Sequence, residues 1–112
     1  MMRRPLEKDV QSAILDIARL LGWRAYHTFD SRKSQAGFPD LVLVRERVIF
    51  AEIKREGERP RPSQVEWLNS LARAGAEVYV WTEADYDEVA SILSRRVPQA
   101  GNSNETEAES VG

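Results

Sequence analysis

Two β-rich segments, Asp-Leu-Val-Leu-Val at 40–44 and Val-Ile-Phe-Ala-Glu-Ile-Lys at 48–54, stand only three residues apart, and this closeness constrains the fold more than any other feature of the chain. Arg45, Glu46 and Arg47 suffice for a tight connection, so the segments read as an antiparallel hairpin. Closure symmetric about Glu46 sets Val44 opposite Val48, Val42 opposite Phe50 and Asp40 opposite Glu52. Strand alternation then gathers Asp40, Val42 and Val44 on one sheet face with Phe50, Glu52 and Lys54. A one-residue slip would send Glu52 to the face away from Asp40.

In that register two carboxylates and an ammonium converge. Hard carboxylate oxygens across a strand pair suit Mg²⁺ or Mn²⁺; without a cation the same pair repels. Glu52 and Lys54 interrupt a segment otherwise fit for a central strand, where a charge costs several kcal/mol unless it is paired or bound to metal. Alternation alone leaves a second reading open: an edge strand whose polar side faces water, with Lys54 guarding against aggregation.

The remaining elements follow from periodicity. Leu6, Val10, Ile14, Ile17 and Leu21 recur at helical steps before Gly22, predicting a helix over about 5–21. Residues 23–29 favour a first strand, and 30–39 carry the glycine, proline and short polar residues of a loop. Residues 55–62 form a second loop. Ser63 with Glu66 matches a capping box, opening a helix that Gly75 ends, and 77–81 forms a last strand. Thr82 with Asp85 repeats the box before a helix packed through Tyr86, Val89, Ile92 and Leu93. The expected order is αβββαβα.

Composition narrows the class. A chain of 112 residues suits one domain, here expected over 1–98. With no cysteine there is neither a disulfide framework nor a thiolate site, and one histidine makes a histidine-rich zinc centre implausible. No apolar run approaches the roughly 20 residues of a membrane span, so the expectation is a soluble, intracellular and cytoplasmic protein. The net charge of −2 hides an uneven distribution: residues 1–98 hold 16 bases against 15 acids, and 99–112 read as a disordered acidic tail. Nucleic-acid binding must then rest on local charge rather than on the total.

The string Gly37-Phe38-Pro39-Asp40-Leu41-Val42-Leu43, followed after the hairpin turn by Ala51-Glu52-Ile53-Lys54, resembles the PD-(D/E)XK nuclease signature. With Glu7 on the first helix and Gln64 just inside the helix after the hairpin, the arrangement resembles the small stand-alone VRR-Nuc proteins over nearly all of 5–96. The resemblance implies an α/β fold, a restriction-endonuclease-like core with a mixed four-stranded sheet flanked by helices. It implies a metal-dependent DNA endonuclease in which Asp40, Glu52 and the Ile53 carbonyl hold Mg²⁺ or Mn²⁺. Glu7 would complete the site directly or through water; taken alone, Glu7 is equally a first-turn carboxylate favoured by the helix dipole. Lys54 would orient the attacking water and steady charge on the scissile phosphate, and Gln64 would face the site from its helix.

Arg32 and Lys33 on one flanking loop, and Arg55, Arg59 and Arg61 on the other, are candidate phosphate contacts, although each reads equally as a solvated loop cation. His27 and the three tryptophans read as structural. The family resemblance further implies a homodimer acting on DNA, with branched substrates such as four-way junctions, and a setting in a bacterial or phage-infected cell. Two other readings stay open: a noncatalytic nucleic-acid binding module, and a small structural protein that binds a partner.

Overall fold

The computed structural model describes residues 4–28 and 35–96. Its elements run α1 (Glu7–Leu20), β1 (Arg24–His27), β2 (Leu41–Val44), β3 (Val48–Ile53), α2 (Pro62–Arg73), β4 (Glu77–Trp81), a short 3₁₀ turn (Glu83–Asp85) and α3 (Tyr86–Ser94). The αβββαβα order therefore stands. The expected acidic tail at 99–112, and Arg32 and Lys33, lie outside the described residues.

The sheet is mixed, in the order β1-β2-β3-β4. β1, β2 and β3 form an antiparallel meander, whereas β4 lies parallel to β3, as a return through α2 allows. The hairpin has the symmetric register, with Val44 opposite Val48, Val42 opposite Phe50 and Leu41 opposite Ala51. Leu41, Leu43, Ile49, Ala51 and Ile53 are completely buried and form the sheet side of the core. Val10, Ile14, Leu15 and Ala18 of α1 meet them with Val89, Ile92 and Leu93 of α3. Alternation thus divides β2 and β3 cleanly: one set of side chains enters the core, and the other set carries the polar residues.

α2 lies over the opposite face. Phe38, just before β2, is wedged edge-on between Phe50 of β3 (ring centroids 6.0 Å apart) and Trp67 of α2 (5.1 Å). The helix starts earlier than the Ser63–Glu66 pattern suggests. Arg61 is its N-cap, Pro62 its first residue, and the Gln64 Oε1 accepts the Arg61 N–H at 2.7 Å. Proline prevails because its fixed φ suits the first helical position and its missing N–H is not needed there. At the other box the expected chemistry holds: Asp85 accepts the Thr82 N–H (2.8 Å), and Thr82 Oγ1 accepts that of Ala84 (3.1 Å). Among the described residues no helix is long and apolar enough to cross a membrane.

Candidate active site

β3 lies between β2 and β4, so the edge-strand account of its two charges fails. Glu52 is 1% exposed and Lys54 7%. The strand continues past its ladder, because the Lys54 N–H donates to the Trp81 carbonyl at 2.9 Å. Lys54 is thereby held beside the site.

Asp40 sits where the chain enters β2. Its Oδ2 accepts the Ile53 N–H at 2.8 Å, tying it to the neighbouring strand, and its carboxyl meets that of Glu52. Lys54 Nζ lies 3.6 Å from Glu52 Oε2, a loose ion pair rather than a short hydrogen bond. Both Glu52 oxygens are buried without a hydrogen-bond partner. A carboxylate in that state is expensive, and its protonation equilibrium reflects it. Burial first, and the adjacent Asp40 carboxylate second, push the Glu52 pKa up to about 8, against the pull of Lys54. Burial also raises that of Asp40, partly offset by the Ile53 N–H and Lys54.

Glu7 opens α1 one turn before the buried Val10 and is itself exposed. It lies close enough to feel Lys54 and Asp40; burial of its carboxyl raises its pKa, Lys54 lowers it and Asp40 raises it again. Gln64 is buried, and its side-chain oxygen serves the N-cap of α2. Arg61 is exposed and near enough to draw the pKa of Asp40 down. Arg59 is also exposed, whereas Arg55 pairs with Glu58 at 3.0 Å and so braces its own loop.

Gly37 has a role that its turn-like context did not reveal. At φ +96° it lies so close to α2 that an added Cβ would meet the Ser63 oxygen at 2.4 Å and the Gln64 nitrogen at 3.0 Å. The segment leading into Asp40 therefore rests directly on the first turn of α2, with Phe38 packed behind it. Backbone proximity of this kind has no local sequence signal beyond the glycine itself.

The donor set suits a hard divalent cation. Two carboxylates in contact, one with both oxygens orphaned, are what Mg²⁺ or Mn²⁺ accepts, usually with several waters completing the octahedron. Among the described residues no three His, Cys, Asp or Glu side chains gather closely enough to hold a metal by themselves. The Asp40–Glu52 pair is thus the nucleus of such a site, with Glu7 near enough to feel Asp40.

The chain matches the sequence profile of the VRR-NUC domain over residues 3–84. Solved structures that share its fold include two of this domain. One, described as a VRR_NUC domain, aligns with TM-score 0.67 at 24% identity, covering 81% of this chain and 97% of that one. The other, a VRR_NUC domain protein, aligns with TM-score 0.66 at 20% identity, covering 81% and 87%. No curated protein matches. The profile spans most of the chain, including the hairpin with Asp40, Glu52 and Lys54, and on that basis the protein belongs to the VRR-NUC family of nuclease domains.

Proposed function

We propose that this chain is a divalent-metal-dependent DNA endonuclease that hydrolyses phosphodiester bonds. The observation that carries the reading is the buried Asp40–Glu52 pair, with both Glu52 oxygens unsatisfied and Lys54 beside them. A structural ion pair would have these oxygens hydrogen-bonded. Here the fold holds two carboxyls together at a cost that shows in the raised Glu52 pKa, and a cation taking the place of the proton would remove it.

Asp40, Glu52 and the Ile53 carbonyl would hold the cation, with Glu7 at the mouth. When bound there, such a cation would supply Lewis acidity toward phosphate and water. Lys54, 3.6 Å from Glu52 Oε2, would stabilise negative charge developing on the phosphate. The Ile53 N–H holds Asp40 in one orientation. Gln64 acts through the start of α2, keeping Arg61 close to Asp40, and Arg61 and Arg59 offer exposed cations to the flanking phosphates.

Branched DNA, including four-way junctions, is the substrate class we assign, with a homodimer placing two such sites on opposed strands. Support for both comes from the family resemblance and from the small size of the domain. The test is incubation of linear, nicked, flapped and four-way-junction DNA with Mg²⁺, Mn²⁺ or chelator, beside Glu52→Gln. Metal-dependent cutting that the variant lacks is expected. DNA retained but left intact with every metal would establish the binding module instead, and light scattering reads the dimer.

A further inference from the structure

The sheet face that bears Asp40 and Glu52 does not end at the catalytic pair. Alternation continues it through Val42 and Val44 on β2, and the register places Tyr26 beside Val42 and Arg24 beside Val44 on β1. Phe38 and Trp67 cover this face at Phe50, whereas over β1 and β2 the described residues leave it open. Tyr26 is 60% exposed and Val44 39%. Arg24, Ala25, Tyr26, Val42 and Val44 line a shallow cavity of about 420 Å³ there. Arg24 is exposed and forms no ion pair among the described residues.

Charge decides what fits. An open apolar face invites a second copy of the chain, but outside the Asp40–Glu52 pair this face has no acid. Two copies laid face to face would bury both Arg24 side chains without a counter-ion from that surface, which is costly. A nucleotide brings the complement: a flat base to stack on the exposed ring, a sugar to lie on the valines and a phosphate for the guanidinium. The spacing agrees. From Asp40, Val42 lies about 7 Å and Val44 about 13 Å along the strand, which two to four stacked nucleotides span at about 3.4 Å each.

We propose that Arg24, Tyr26, Val42 and Val44 form a subsite for an unpaired nucleotide of the substrate strand, stacked on Tyr26 with its phosphate on Arg24. The subsite rests on the endonuclease reading and deepens its branched substrate class: the preferred branches present unpaired nucleotides, as a flap or an opened branch point does, within a few positions of the scissile phosphate. Fully paired DNA cannot use it, because its bases are already stacked.

The test measures binding without metal, by fluorescence anisotropy, of a labelled short oligothymidylate and of a fully paired duplex. Wild type, Tyr26→Ala, Tyr26→Phe and Arg24→Gln are compared. Tyr26→Ala should bind the single strand about ten-fold more weakly, the loss of one stacked base, while duplex binding changes less than about two-fold. Tyr26→Phe should restore the affinity, since stacking needs the ring and not the hydroxyl. Arg24→Gln should reduce the salt slope of single-strand binding by about one. Photocrosslinking of an oligonucleotide containing 5-iododeoxyuridine should label Tyr26. Equal single-strand affinity in Tyr26→Ala, an equal loss on both probes, no single-strand binding by wild type, or conversion of a dimer to a monomer by Tyr26→Ala would each overturn the subsite. Cleavage of flapped and paired DNA by wild type with Mg²⁺ is measured alongside. Cutting together with any of those outcomes defeats the subsite alone, and no cutting with any metal defeats the endonuclease reading.

Discussion

The two ends of the β2–β3 hairpin carry similar densities of charge and treat it in opposite ways. At the turn, every described contact of Arg45 and Arg47 contributes to the fold. Arg45 donates to the carbonyls of Leu21 (3.0 Å), Leu93 (3.0 Å) and Arg95 (2.9 Å) and pairs with Glu46. Arg47 donates to those of Arg95 (2.9 Å) and Ile92 (3.0 Å) and pairs with Glu77 at 2.8 Å. Both guanidiniums lie over the Trp23 ring, at 4.6 and 5.1 Å from its centroid. They therefore cap the C-terminal ends of α1 and α3 together, where helix dipoles favour cations. At the open end, Glu52 has two oxygens with no donor, and Lys54 stands off at 3.6 Å. Satisfied charge secures the architecture; unsatisfied charge stands where the proposed cation would bind.

The largest expected consequence lies at the open end. Glu52→Gln should reduce metal-dependent cleavage by on the order of 10³-fold and, in metal-free protein at pH 8, should raise stability in a urea melt. A variant that is inactive and also less stable would break the comparison, because Glu52 would then be structural. Next in size, Arg45→Ala leaves the Leu21 carbonyl without a donor, leaves the Leu93 and Arg95 carbonyls to Trp23 and Arg47, and removes a ring contact, so it should lower the midpoint of the same melt. Its affinity for Mn²⁺, read by calorimetry, should be unchanged; a parallel loss of metal binding would show that the two ends are coupled.

pH sharpens the contrast. The Glu52 pKa is raised in the folded chain to about 8 from 4.5, so the native state binds more protons than the unfolded one between these values. Stability from this group is therefore fully present below about pH 4.5 and lost as pH rises through about 8. Mg²⁺ should reverse the trend, raising Tm more at pH 8 than at pH 5, because the cation competes with the proton for the same oxygens. An equal Mg²⁺ effect at both pH values would separate the cation from Glu52. The smallest effects belong to two glycines. Gly57→Ala, at φ +90° with nothing within 4 Å, should cost about 1 kcal/mol. Gly37→Ala should cost more and weaken metal binding, since its methyl group meets Ser63; equal costs in thermal melts would contradict the close contact.

Local rules made much of this legible. Period-two alternation and a three-residue turn were enough for the hairpin register, and with it the meeting of Asp40 and Glu52. Helical spacing located the buried faces of α1 and α3, although Leu15 and Ala18 escaped it because they flank the main stripe. What stayed hidden depends on neighbours distant in sequence. Arg45 and Arg47 looked like an ordinary charged turn, since their carbonyl partners lie on α1 and around the end of α3. Arg55 looked available until Glu58 was found against it. Gln64 was recognisable as a family position, yet its bond to Arg61 depends on proline starting α2 two residues before the cap pattern suggests. Tyr26 and Arg24 had a signal in their spacing of two, but the open face that gives it meaning exists only once the sheet is assembled.

Thr28 and the residues before β2 draw a boundary around the chemistry. The Thr28 N–H donates to the Asp40 carbonyl (2.7 Å), and its hydroxyl donates to that of Pro39 (2.8 Å). Two bonds from one residue thus pin the backbone of both Pro39 and Asp40 to the end of β1. The carboxyl of Asp40 is aimed by the Ile53 N–H on one side and anchored through its own main chain on the other, so its position is inherited from the sheet rather than from the segment that leads into it.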